Sequence, residues 1–353
     1  MYSVAAVIAS PHSTTEELYL AQKLARSFGV NNIDAALRRS DKRVAAAQQG
    51  ALWLGSSIVE LLAAKSVLMV GSTQRQEQPL LASRLRQSVK KGMALNVIHT
   101  SDDELLTRIN AKLIVSPLAL VNALAQVLKA AVEIKSASTA LDLSAANVSA
   151  EARAIADSLC AAESAAVVLG NVAQHHPAFA ELLSLAQEIG RVTGARFGIA
   201  AEAANSVGAD IAGVNPQRGP MGKAVSAGIG ASEMLAAPRK AYVLLNSEIE
   251  ADAYNSQQAV AAMKQAATVI ALTAFKGEAL LDYADVLLPI APFSETAGSF
   301  VNLEGKLQPF NGVVRPLGEA RPAWKVLRVL GNMLNLSGFD FNSAEDVRAE
   351  LLA

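Results

Sequence analysis

Hydrophobic positions along this chain fall into short continuous runs separated by longer amphipathic stretches. The first run, Val-Ala-Ala-Val-Ile-Ala-Ser at residues 4–10, is strand-length and apolar at successive positions. A strand of that kind is buried on both faces, as in a parallel sheet. Pro11 ends it. Ser13 or Thr14 can then cap a helix, with Glu16 or Glu17 three residues later completing a capping box. Leu18, Leu20, Leu24 and Phe28 lie on or near one face of that helix, and Gly29 supplies a left-handed stop. Strand, turn and helix recur from Lys65, with strands predicted over 66–71, 95–99 and 112–115. Helices are predicted over 79–91 and 118–134, and Asp102 and Asp103 begin a short one at the end that favours negative charge.

Residues 31–50 are polar, and 136–147 are rich in Ser and Ala and read as a linker. A second series follows, with helices over 149–162, 177–191 and 256–267 and strands over 165–170, 196–200, 241–246 and 268–274. Residues 208–230 read as a Gly-rich loop. A short helix to Tyr283, a last core strand over 285–289 and terminal helices over 322–336 and 344–352 complete the pattern. Alternation of this kind predicts an α/β fold of parallel β-α-β units. Loops after the strands gather at one sheet edge, where open α/β folds place ligands. Residues 284–324 stand apart, dense in Gly, Pro, Asn and Glu and too long for an ordinary connection, so an ordered strap is expected.

A length of 353 residues is about two domains' worth. Hydrophobic residues at 52% against 18% charged exclude a disordered chain. A net charge of −1 without long basic runs gives no support to nucleic-acid binding, and aromatics at 5% argue against a base-stacking platform. The single cysteine, Cys160, excludes an intramolecular disulfide and a multi-thiolate cluster within this chain; it reads as a small packed side chain. The apolar runs are far shorter than the ~20 residues that span a bilayer, so no direct membrane insertion is expected. No export signal opens the chain, and the early first strand suggests that it begins inside a larger protein.

Candidate chemistry is sparse. Gly228-Ile-Gly230 lacks the third glycine of a dinucleotide loop, and Gly222-Lys223 lacks the rest of a phosphate loop. His175 and His176 sit at a strand-to-helix turn without an acidic or thiol partner at ligand spacing, so a turn or helix cap is expected rather than a metal. His12 and His99 are isolated, and no G-x-S-x-G nucleophile motif occurs. Glu16 and Glu17 point in different directions on a helix and are read as capping residues. Glu295, Asn302, Glu304 and Glu319 are the unusual polar residues of the strap; the first three are expected to hold backbone amides rather than to catalyse. No residue is assigned a catalytic, cofactor-binding or metal-binding role.

Several segments carry a family resemblance: Ser10-Pro-His-Ser-Thr-Thr-Glu-Glu17 with Asn31-Asn-Ile-Asp34, then Ala204-Asn-Ser-Val-Gly-Ala209. The most specific lies in the strap: Asp285-Val-Leu-Leu-Pro289, Glu295-Thr-Ala-Gly298, Asn302, Glu304-Gly305, Gln308 and Gly318-Glu-Ala-Arg321 before Trp324. From end to end the chain resembles the molybdopterin oxidoreductase superfamily. Within it, the chain is most similar to the large iron–sulfur subunit of bacterial NADH:quinone oxidoreductase, respiratory complex I.

The resemblance implies two interleaved, doubly wound (Rossmann-like) parallel-sheet α/β lobes of the formate dehydrogenase and molybdopterin oxidoreductase type. Residues 1–45 would join 146–290 as a split lobe, 46–145 would be inserted, and 291–353 would form an extended strap and terminal helices. Catalytic relatives place a Cys, selenocysteine or Ser metal ligand soon after the Asn-Asn-Ile-Asp segment. This chain has no thiol there and only Ser40 as a poor substitute. The implied function is a non-redox, degenerate domain acting as scaffold for electron transfer from NADH to quinone. It would bind no cofactor itself, the parent's iron–sulfur clusters lying upstream. Its partners would be that upstream part and other peripheral-arm subunits, on the cytoplasmic side of the bacterial inner membrane. The alternative is the pterin-binding body of a catalytic, formate dehydrogenase-like enzyme, with molybdopterin as cofactor.

Overall fold

The computed structural model describes residues 4–44, 48 and 50–353. Residues 1–3, 45–47 and 49, which the expected first lobe and the polar segment 31–50 include, lie outside the described residues. The elements begin β1 (Ala5–Ala9), α1 (Thr15–Ser27), β2 (Ile33–Asp34), α2 (Ile58–Ala63), β3 (Ser66–Val70), α3 (Gln74–Glu77), α4 (Pro79–Lys90) and β4 (Ala94–His99). Next come β5 (Ala111–Ile114), α5 (Leu120–Lys135), α6 (Ala150–Ala161), β6 (Ala165–Leu169), α7 (Asn171–Gln174), α8 (Phe179–Thr193) and β7 (Arg196–Ile199). The chain continues through α9 (Ser206–Ala212), α10 (Ala231–Ala236), β8 (Ala241–Leu245), α11 (Ile249–Asp252), α12 (Ser256–Gln265) and β9 (Thr268–Thr273). It ends with α13 (Glu278–Leu281), β10 (Val286–Pro289), β11 (Gly298–Val301), β12 (Leu307–Phe310), α14 (Ala323–Met333) and α15 (Ala344–Leu352).

Two compact units result, Met1–Ala51 with Ala203–Ala353, and Leu52–Glu202. The first is built on a parallel sheet of order β10-β9-β8-β1-β2. Val7 of β1 stands between Val243 of β8 and Ile33 of β2. Alternation along each strand feeds two apolar layers. Val7, Ala9, Leu245 and Leu272 pack toward α1, α14 and α15. Ala6, Ile8, Tyr242, Leu244 and Ala271 pack toward α10 and α12. Burial on both faces is why these strands read as unbroken apolar runs. At the head of α1, Thr14 and Glu17 form the expected capping box.

The second unit holds a parallel sheet of order β5-β4-β3-β6-β7. The sequence reading places residues 146–202 in the split lobe; the structure corrects this. β6 pairs with β3 in register, Val67 opposite Ala166, and β7 pairs with β6. Local periodicity locates a strand but does not name its neighbour, so the boundary comes only from these long-range pairings. Asp102 and Asp103 form no helix. Ser101 Oγ donates to Asp103 Oδ1 at 2.8 Å and Lys112 pairs with Asp102, and local side-chain bonds of this kind compete with helix formation. Elements that escape the sequence reading include β2, α2, α3 and α10, as well as α9 within the Gly-rich segment and the antiparallel pair β11–β12 within the strap.

Among the described residues one helix, Pro117–Lys135 with its 19 residues, is long and apolar enough by length and composition to cross a membrane, although Asn122, Gln126 and Lys129 interrupt its apolar runs. Its Leu120, Leu124, Val127, Leu128 and Ala131 are buried, on a face that meets α6 and α8.

Residues Trp53–Gly55 press against β7, with Ile199 N–H donating to Trp53 O at 2.8 Å. A Cβ on Gly55, at φ +71°, would stand 1.8 Å from Phe197 O, and one on Gly198 would stand 1.9 Å from Leu54 O. Both contacts are backbone and cannot give way cheaply. Gly92, at φ +104° with open space around it, serves as comparison. Gly55→Ala should destabilise the second unit by about 3–4 kcal/mol, against about 1 kcal/mol for Gly92→Ala. Thermal or urea unfolding measures both; equal losses would mean that the close approach at β7 contributes nothing.

Candidate functional site

The edge of the first sheet where β1 ends is the place to look for chemistry, because open α/β folds bind ligands where the strand order reverses. Here that point lies between β1 and β8. The loop after β1 runs directly into α1, whose first turn carries Thr15, Glu16 and Glu17. All three are buried, as are Ser13, Asn205 and Ser299. Buried polar groups need partners, and these find each other.

Glu16 is fully buried. Its Oε2 accepts from Ser299 N–H and its Oε1 from Ser299 Oγ, both at 2.8 Å, and Arg348 Nη1 on α15 donates to Oε1 at 3.2 Å. Thr15 Oγ1 donates to Ser299 O at 2.9 Å. Asn205 Nδ2 donates to Ser13 O at 2.8 Å, and Asn205 Oδ1 accepts from Val301 N–H at 2.7 Å. Asn205 thereby bridges the β1 loop and β11. Asn246, in the loop after β8, reaches Ser13 Oγ at 3.3 Å. A Cβ on Gly298 would stand 2.6 Å from Thr14 Cγ2, so β11 lies directly over the cap of α1.

A helix N-terminus is a ready anion site, and here the capping box takes two of its donors, with Glu17 N–H donating to Thr14 Oγ1 at 3.3 Å. Glu17 Oε2 accepts from Thr14 N–H at 2.9 Å and Glu16 binds Ser299. The second sheet reverses between β3 and β6, and that point is closed too. Val172 N–H, at the start of α7, donates to Gly71 O at 2.9 Å. Cβ atoms on Gly71 and Gly170 would stand 2.7 Å from Ala173 N and 2.3 Å from Ser72 Cβ. At both reversal points groups of the chain itself lie against the loops that follow the strands.

Other expected positions resolve as follows. His176 caps its turn, Nδ1 accepting from Ala178 N–H at 3.0 Å with Nε2 3.0 Å from Pro117 O. His175 was expected to lack an acidic neighbour; Nε2 instead lies 3.1 Å from Glu202 Oε1, off the angle of a good hydrogen bond. Folding brings together two residues that sequence spacing keeps apart. His99 Nδ1 accepts from Ser101 N–H at 2.9 Å. Ser40 Oγ is enclosed without a hydrogen-bond partner. Burial pushes the Cys160 thiol above its ordinary pKa, away from thiolate reactivity. Among the described residues, no group of three or more His, Cys, Asp or Glu side chains could hold a metal ion.

In the strap, Glu295 Oε2 accepts from Leu317 N–H at 3.1 Å, and Asn302 Oδ1 accepts from Glu304 N–H at 3.0 Å and Lys306 N–H at 2.9 Å. These two hold backbone as expected. Glu304 also meets the side chains of Asn302 at 3.4 Å and Lys306 at 3.2 Å. Sequence reasoning finds Asn205 in a motif without giving it a task, and it misses Ser299 and Arg348. The available signal was a buried-type helix start carrying two carboxylates, which required distant donors.

Burial, opposed by the Thr14 groups, pushes the Glu17 carboxyl up to about 7 from an ordinary 4.5; Glu16 is raised as well, its burial only partly offset by Ser299 and Arg348. Between those two values the folded chain holds more protons than the unfolded chain, so stability falls as pH rises. For Glu17 the loss from pH 4.5 to above 7 should approach about 3 kcal/mol. Glu17→Gln, which preserves a cap acceptor, should flatten that part of the curve. Urea unfolding across this range tests it, and an unchanged slope in the variant would assign the proton elsewhere.

Comparison with known proteins agrees with this architecture. A family model described as molybdopterin oxidoreductase matches residues 2–333. Provisionally named formate dehydrogenases of Staphylococcus aureus, from strains RF122 / ET3-1 and USA300, are 42% identical over 60 residues. That stretch covers 17% of this chain and 6% of theirs. Acetylene hydratase from Pelobacter acetylenicus shares the fold with a TM-score of 0.67 at 16% identity, over 96% of this chain and 56% of that one. A chain of the formyltransferase/hydrolase complex of Methylorubrum extorquens, solved with methylofuran, gives 0.66 at 17% identity, over 94% of this chain and 91% of that one. With two parallel α/β sheets, and a family model that spans nearly all of its length, this chain belongs to the molybdopterin oxidoreductase family.

Proposed function

We propose that this chain is a non-redox member of its family, a molybdopterin oxidoreductase-like domain that serves as scaffold within a multisubunit oxidoreductase. The observation that carries this reading is the closure of both strand-order reversal points by the chain's own groups, Gly71 with Ala173 in one sheet and the Glu16–Ser299–Asn205 cluster in the other. A domain that keeps the family fold while filling these crevices has its surface left to work with. The strap offers such a surface. Val313 at 84% exposure, Leu317 at 83% and Phe293 at 66% are large apolar side chains that a partner would cover.

The parent we propose is NADH:quinone oxidoreductase, complex I. The chain would be part of its large iron–sulfur subunit, in the peripheral arm on the cytoplasmic side of the bacterial inner membrane. The strap residues Glu295-Thr-Ala-Gly298 and Gly318-Glu-Ala-Arg321 support that parent. Iron–sulfur clusters would belong to an upstream part of the same subunit, and neighbouring arm subunits would be its partners. A second reading is favoured by the Staphylococcus aureus relatives, whose names point to formate dehydrogenase. Under it the chain would belong to the pterin-binding body of a catalytic enzyme.

One assay separates the two readings. The chain, produced in cells that make molybdenum cofactor, should carry neither molybdenum or tungsten by metal analysis nor a fluorescent pterin after oxidative extraction. Metal and pterin approaching one equivalent per chain would overturn the scaffold reading and favour the catalytic one.

A further inference from the structure

The strap and the start of α14 enclose an open cavity of about 460 Å3 that neither reading above uses. That volume is within the usual range for small-molecule sites, roughly 300–1,000 Å3. Arg315, Arg321 and Lys325 line it, together with Val314, Pro316 and Trp324. Glu295 also lines it, with Oε2 engaged by Leu317 N–H at 3.1 Å. Arg321 Nη1 donates to Gly318 O and Ala320 O, which fixes the guanidinium at the rim. Lys325 Nζ lies 5.3 Å from the centre of the Trp324 ring. Among the described residues no carboxylate forms an ion pair with any of these three cations.

Helix α14 is 11 residues long and begins at the cavity, its N-cap being Pro322, with the Ala323 N–H at its head engaged by the buried Glu17 carboxylate. Trp324 is only 4% exposed and lines the cavity with its ring, the indole Nε1 being shielded from solvent. Arginine forks suit the oxygens of phosphate or carboxylate, and Val314 and Pro316 provide room for a short apolar body.

We propose that this cavity binds a small organic oxyanion, a molecule with a multiply charged phosphate or carboxylate head and a compact apolar part. The site lies in the strap and stands independently of whether the chain is scaffold or catalyst. The chain has two tryptophans, so Trp53→Phe leaves Trp324 as the sole indole reporter. That protein is titrated with inorganic phosphate, pyrophosphate and citrate at ionic strength held constant with sodium chloride. A saturable change in Trp324 emission with at least one probe is expected, and the phosphate and citrate arms distinguish the two head groups. Arg321→Ala and Lys325→Ala should each weaken binding about 10-fold or more, whereas Lys276→Ala, at an exposed position away from the cavity, should not. Arg321→Lys keeps the charge but loses the fork, and should fall between wild type and Arg321→Ala while unfolding at the same temperature. No saturable response to any probe, a response matched by chloride alone, or affinities unchanged by the cavity variants would each overturn the proposal.

Discussion

Much of the first unit depends on one buried contact, the Glu16 carboxylate held by Ser299 and Arg348. A fully buried carboxylate is costly unless its lone pairs are satisfied, so removing one donor is worse than never having had the group. Three distant segments, α1, β11 and α15, are tied to one side chain. Asn205 extends the tie to the β1 loop and to Val301. The strap is consequently an ordered part of the fold, and its hairpin closes over a helix end that would otherwise attract an anion.

The two reversal points are held by different means. In the first unit the Glu17 carboxylate takes the Thr14 N–H while Glu16 accepts from Ser299 of β11; in the second, Gly71 and Gly170 lie too close to Ala173 and Ser72 to admit a Cβ. Neither arrangement disturbs the sheets, whose pairings remain parallel and in register. The sheets thus stay regular whatever the loops beyond them do, in keeping with function residing in sites carried by folds.

Much of this was legible from the chain alone. The buried strands, the Thr14–Glu17 capping box and the terminal helix at Ala344–Leu352 follow from local pattern and capping chemistry. Strand pairing was not legible, because Ala166 meeting Val67 rather than a strand of the other sheet is decided by packing across long separations. The short β11–β12 hairpin was hidden among glycines and prolines whose composition suggests only an irregular crossing. Glu16 and Glu17 read correctly as helix-start residues, but the role of Glu16 as an anchor for Ser299 needed three dimensions.

The split of the first unit around an uninterrupted second one also bears on synthesis. The partners of α1 come late: Asn205 is 190 positions beyond Thr15 and Arg348 is 332 beyond Glu16. Strand β1 pairs early with the two-residue β2, but its longer partner β8 comes only after the whole second unit has been made. On the ribosome, Leu52–Glu202 is available for collapse while the opening strand still has an unpaired apolar edge. Such edges invite aggregation. The nascent chain therefore has a period of vulnerability set by translation speed, and slow decoding between the two halves of the first unit would prolong it.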